Sequence, residues 1–247
     1  MKSLLYVPLL LLLACRENPS PESHALVTAS EPPPTASATT TTTETNAPAQ
    51  PPVGIPAVTG PKLLPVDEAP ADPSLVAYRE ELLAAVRRRD VDAVVALSDP
   101  NVRTSFGDDG GAEELRRKLQ DGALMNDLEQ ILPLGGKFTG PENQRTFWAP
   151  YVYSAWPDRH DAFQSLAVIG ENVPLRDEPD ANARVLAMLS HDIVGHEKRE
   201  GDWFRIKTAD GRTGWVEKSS VVSPVGYRAG LSKVDGQWRM RALVAGD

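Results

Sequence analysis

"GDWFRIKTADGRTGWV", residues 201–216, is the stretch on which the fold turns. Two short runs rich in aromatic and apolar residues flank Asp210-Gly211, a pair that can supply the positive φ angles of a tight hairpin. Trp203 and Trp215 bring large aromatic area to a core that must be small. From Ser165 onward the same texture continues, short strands separated by regular turns. Within it, Asn172 to Arg176 reads as the first strand and the charged "DEPDANA" (177–183) as a long loop after it.

Residues 165–222 resemble the bacterial SH3 domain. The resemblance is carried by "NVPLRDEP" (172–179), "GDWFRI" (201–206), "DGRTGWV" (210–216) and the spacing between them. It implies a small all-β barrel over 165–224. It also implies a non-catalytic module that binds short peptides, cell-wall cross-bridges or an envelope protein, or that targets an attached domain. Trp203 and Trp215 with the loop acids Asp177 and Glu178 are the candidate ligand-binding residues, with core packing as the competing role of both tryptophans.

The last stretch, "GYRAGLSKVDGQWRMRALVAGD" (226–247), is a second hairpin signal. Asp235-Gly236 marks its turn, and Trp238, Met240, Ala242 and Val244 alternate with polar or basic positions. It extends beyond a normal SH3 core. Either it pads the barrel, or it closes a sheet in the preceding region, which is short of strands without it.

That preceding region is helical. Asp72-Pro73 is a helix start, since Asp can cap free N–H groups and Pro fits the first helical position. Leu75, Tyr78, Leu82 and Val86 recur at helical spacing, and Asp90 offers a second cap before Val91, Val94 and Val95. A turn at "SDPN" (98–101) is expected to end this helix, and "VRTSFGDDGG" (102–111) to form a short strand and a Gly-rich loop. "AEELRRKLQ" (112–120) places acids at its positive end and bases at its negative end, and Leu124, Leu128, Ile131 and Leu132 predict a fourth helix. "RTFWAPYVY" (145–153) reads as a strand interrupted by Pro150. Helices followed by a closing strand make residues 72–164 plus 225–247 similar to the nuclear transport factor 2-like cone fold, with the SH3 segment as an insertion. The predicted class is therefore α+β.

The N-terminus has another character. Lys2 precedes a ten-residue apolar run from Leu4 to Leu13 that spans about 15 Å as a helix, half of a bilayer core of about 30 Å. It reads as a secretory signal, residues 1–14. Leu12-Leu13-Ala14-Cys15 resembles the lipobox of bacterial lipoproteins, which implies a diacylated Cys15 after signal removal. Two acyl chains hold a protein on a membrane stably where one does not. Arg16 in place of Asp implies, by the same resemblance, the outer membrane, facing the periplasm. Residues 15–71 read as a disordered Pro/Thr-rich linker, because 16–70 hold 12 of the 22 prolines and no aromatic residue. Cys15 is the sole cysteine, so no internal disulfide can form.

A net charge of −8 argues against nucleic acid, which calls for clustered cations. No cofactor, metal or catalytic set emerges. "HEKRE" (196–200) lacks the second histidine of a zinc helix, "GLSKV" (230–234) the final glycine of a nucleophile elbow, and "LGGK" (134–137) the rest of a phosphate loop. Asp158, His160 and Asp161 are the least poor acid–base candidates, although histidines beside acids on surface turns are commoner. A cone fold contains a pocket, and Phe147, Trp148 and Tyr151 are candidates to line it, with core packing the commoner role. The predicted function is thus an envelope lipoprotein that binds peptidoglycan or an envelope protein. A small-molecule or enzymatic cone domain targeted by its SH3 module is the alternative, and an assembly partner a third.

Overall fold

The computed structural model describes residues 54–107 and 110–246. The expected signal peptide, Cys15 and the expected linker up to residue 53 lie outside the described residues, as do Asp108, Asp109 and Asp247.

Asp72 begins helix α1 (Pro73–Arg87) as expected, its carboxylate accepting from the backbone N–H of Ser74 at 3.0 Å and of Leu75 at 3.4 Å. Leu75, Tyr78, Leu82 and Val86 are its buried face. Asp90 caps α2 (Val91–Ala96) by accepting from Ala93 N–H at 3.0 Å. The "SDPN" stretch then departs from expectation: residues Ser98–Arg103 form strand β1, parallel to the last strand. β1 stands at a sheet edge, where Pro100 need supply no ladder donor, so pairing outweighs the turn chemistry. Helices α3 (Ala112–Gln120) and α4 (Ala123–Ile131) follow where expected, then strand β2 (Lys137–Thr139). The stretch read as one strand over 145–153 divides. Thr146–Ala149 is β3, and after Pro150 the chain turns into a one-turn helix α5 (Tyr151–Ser154).

The C-terminal hairpin, β11 (Arg228–Val234) and β12 (Gln237–Val244), pairs with the helical region. Sheet order is β1-β12-β11-β3-β2, so the hairpin closes that sheet and does not pad the barrel. Asp235 and Gly236 both take positive φ, +50° and +80°, as a two-residue turn of this kind requires. Between helices and sheet, Phe138, Phe147 and Trp238 stack at ring separations of 5.4 and 6.3 Å.

Between α5 and β11 the chain builds an antiparallel sheet of β4 (Ser165–Val168), β5 (Val173–Arg176), β6 (Val185–Leu189), β7 (Ile193–Glu200), β8 (Trp203–Lys207), β9 (Thr213–Glu217) and β10 (Val221–Val222), in the order β10-β4-β7-β8-β9-β5-β6. The expected first strand is therefore the second, and Asn172 precedes it in a left-handed conformation, φ +56°. Leu166, Val168, Leu175, Leu189, Ile206 and Val216 fill the barrel core. The 210–211 turn differs from expectation. Only Gly211 has positive φ, and a loop from Thr208 to Arg212 is closed by Thr208, whose N–H donates to Arg212 O at 2.9 Å.

The linker boundary at residue 71 also needs correction. From residue 57 onward the segment is strapped to the folded part. Ala57 bridges Met188 on edge strand β6, and Val58 enters the barrel core. Lys62 pairs with the buried Asp192 at 2.7 Å, and Leu63 and Ala69 are buried. Prolines without donors suit an edge position, so low aromatic content did not prevent order here. Among the described residues no helix is long and apolar enough to cross a membrane.

Candidate functional site

Strand register decides what β8 and β9 expose. Trp203 pairs with Glu217, Phe204 with Val216, Arg205 with Trp215 and Ile206 with Gly214. Ile206 and Val216 are fully buried in the core, so Trp203, Arg205, Trp215 and Glu217 stand together on the opposite face of the sheet. The two tryptophans meet different fates there. Trp215 is covered, only 7% exposed, with the Lys198 ammonium 4.8 Å from its ring centre. Trp203, at the start of its strand, is half-buried and lines an open groove of about 630 Å³.

The groove lies between the barrel and helix α4. Asp202, Trp203, Glu217, Lys218 and Ser219 form one wall; Asn126, Glu129 and Gln130 form the other. Gln130 Nε2 donates to Val221 O at 3.5 Å and joins the walls at one end. Lys218 N–H donates to Asp202 O at 2.7 Å, fixing the turn that presents both residues. Glu129 is shared with Arg89 at 3.0 Å, and Glu217 accepts from Ser219 Oγ at 3.3 Å. Behind the lining, burial raises the Asp127 carboxyl above its ordinary range, while Lys218 and Arg199 act in the opposite direction.

Of the four ligand-binding residues expected from sequence, Trp203 is on this groove. Asp177 and Glu178 sit in the β5–β6 loop, where Asp177 pairs with Arg184 at 3.1 Å, and Trp215 lies beneath Lys198. Asn126, Glu129 and Gln130 were missed. They are ordinary polar residues of an amphipathic helix, and nothing local in the sequence couples α4 to a barrel some 75 residues away.

Other expected candidates are placed elsewhere. Phe147 is fully buried core, Trp148 packs edge-on against Tyr153 at 5.5 Å, and Tyr151 is buried with its hydroxyl unpartnered and its ionisation pushed up by burial. Asp161 accepts from Phe163 N–H at 2.8 Å in a turn, and His160 Nε2 accepts from Arg159 Nε at 3.2 Å. Of the other two histidines among the described residues, neither of them an expected candidate, His191 takes a left-handed turn position and His196 packs edge-on against Phe204 at 5.2 Å. Among the described residues no three His, Cys, Asp or Glu side chains gather as metal ligands. A second, more polar cavity of about 450 Å³ lies beside β11 and β12, where Asp72 pairs with Lys233 at 2.8 Å, Arg241 with Asp99 at 3.3 Å, and Arg145 lies over the Phe138 ring at 4.1 Å.

A seven-stranded antiparallel sheet with a half-buried tryptophan lining an open groove invites comparison with known binding modules. Residues 170–222 match the family model of the bacterial SH3 domain. The SH3 barrel accordingly sits where the quoted segments "NVPLRDEP", "GDWFRI" and "DGRTGWV" placed it. No curated protein matches the chain. Similar solved structures include an NTF-2-like protein of unknown function from Shewanella oneidensis MR-1, at 14% identity, covering 72% of this chain and 99% of that one with a TM-score of 0.25. Another is an NTF2-like protein of unknown function from Pseudomonas putida KT2440, at 13% identity, covering 73% and 89%, TM-score 0.27. At such TM-scores the likeness adds nothing to the sheet order described above.

Proposed function

We propose that this chain is an envelope lipoprotein, anchored by acylated Cys15 in the outer membrane and facing the periplasm, whose SH3 barrel binds peptidoglycan or an envelope protein without catalysing a reaction. The observation that carries the binding reading is a bacterial SH3 barrel presenting Trp203 half-buried on an open groove. Aromatic side chains at such positions supply contact area at low entropic cost and are frequent binding hot spots. The lipobox-like Leu12-Leu13-Ala14-Cys15 and the linker after it support the anchored part, since a tethered module can search the layer next to a membrane.

One experiment with two arms tests this. Residues 16–247, without the proposed signal, are spun with intact peptidoglycan sacculi, and saturable co-sedimentation is expected at micromolar concentration. Trp203→Ala, checked by circular dichroism, is expected to weaken it by about tenfold, the loss of roughly 1.4 kcal/mol at an aromatic contact. In the second arm the full chain fractionates with membranes and Cys15→Ala does not. No sedimentation with sacculi and no cross-linked envelope protein would sink the binding reading, and an unchanged membrane fraction for Cys15→Ala would remove the anchor.

A further inference from the structure

We infer that the groove between α4 and the barrel takes an extended peptide by a free primary amine, its ammonium seated on the Trp203 ring among Glu129, Asp202 and Glu217. The inference rests on the binding reading above and names the ligand chemistry of that same groove.

Three observations converge on it. The first is charge. The groove lining carries three carboxylates, Glu129, Asp202 and Glu217, against one ammonium, Lys218. An anionic ligand would be repelled there and a cation attracted. The second is the state of the indole. Two other tryptophans of this chain hold a lysine over the ring, Trp215 with Lys198 at 4.8 Å and Trp238 with Lys233 at 5.2 Å. Trp203 has no such cation among the described residues, although it stands across the strand from Glu217. An ammonium over indole within about 6 Å is favourable, and more so as water is excluded.

The third is the rest of the lining. Asn126, Gln130 and Ser219 offer neutral donors and acceptors of the kind that pair with peptide backbone, in a cavity of about 630 Å³. That lies within the roughly 300–1,000 Å³ usual for ligand sites. Glu129 is committed only to Arg89, in a pair whose side chains are 39% and 48% exposed, so an incoming amine can share it at small cost. The site is composite, since α4 supplies Asn126, Glu129 and Gln130 and the barrel supplies the rest. The barrel alone therefore lacks one wall.

The test uses residues 16–247 labelled with ¹⁵N, observing the indole N–H of Trp203 while a doubly capped Gly-Gly-Lys-Gly-Gly peptide is added to millimolar concentration. Its Nε-acetyl-lysine and Glu counterparts run in parallel. The lysine peptide is expected to shift Trp203 saturably, and acetylation to weaken binding about tenfold, the value of one ammonium–indole–carboxylate contact. Glu129→Gln on α4 and Glu217→Gln on the barrel should each weaken it about fivefold, whereas Glu113→Gln on α3 should not. Equal affinity for lysine and acetyl-lysine peptides, or shifts confined to residues outside the groove, overturns the inference. If the protein still pellets with sacculi in that case, the binding reading stands without it. If neither peptide nor sacculus is bound, both fall.

Discussion

Asp72 shows how much one side chain can carry. It caps α1 and also pairs with Lys233 of β11 at 2.8 Å, tying the first helix to the hairpin that closes the sheet. The Lys233 ammonium, together with Ser74, holds its carboxyl well below the usual carboxylate range. A depressed folded-state value means that the stabilisation is complete above the unfolded-state value of about 4 and is lost as pH falls through the folded-state value. At pH 5.5, Asp72→Ala should cost about 0.5–2 kcal/mol through the lost cap. Asp72→Asn, which still caps, should cost less than about 1 kcal/mol, because the Lys233 pair is largely solvated. Urea midpoints at pH 5.5 and 2.5 check this. The gap between wild type and Asp72→Asn should narrow at the lower pH, and a gap that widens there would contradict the assignment.

At the scale of elements, legibility followed range along the chain. Caps, helical spacing and the Asp235-Gly236 turn are local signals, and α1, α2, α3, α4 and the β11–β12 hairpin lie where those signals put them. Strand β1 was hidden because its partner, β12, is some 140 residues away and "SDPN" spells a turn locally. The groove was half legible: Trp203 is a conspicuous residue, while the α4 wall depends on packing between distant segments. The strap was illegible because composition averages hide single buried positions. Leu63 is 5% exposed beside Leu64 at 67%, two adjacent leucines with opposite roles. Leu63→Ala should therefore lower unfolding free energy by about 2–4 kcal/mol, and Leu64→Ala by no more than about 0.5 kcal/mol. Urea unfolding of the two variants side by side measures the difference. Equal, small effects would mean that the segment before α1 does not hold to the folded part in solution.

For the whole molecule, the question is whether the inserted barrel is a separate folding unit. Strand β4 answers structurally, because it is buried on both faces. Leu166 and Val168 point into the barrel core, while Ala167 between them belongs to a different apolar cluster with Ile193, Val222, Leu63, Tyr151 and Val152. That second cluster takes residues from the barrel, the strap and α5 together, which is why "SLAVI" (165–169) reads as a continuous apolar run and not as an alternation. Inserted domains usually meet their hosts through modest polar interfaces that let each unfold alone. Here a shared apolar cluster couples them, so a single cooperative transition is expected. Ile193 is 5% exposed on the barrel side of that cluster, and Ile193→Ala should cost about 2–4 kcal/mol. The cost should appear equally in both halves. Trp215 sits in the barrel and Trp238 in the other sheet, and ¹⁵N-indole signals report each separately. Thermal melts should give the two tryptophans one common midpoint, and Ile193→Ala should lower both by the same amount. Two midpoints in the wild type, with only that of Trp215 moved by the substitution, would show that the barrel melts on its own and that α4 meets it as a separable wall.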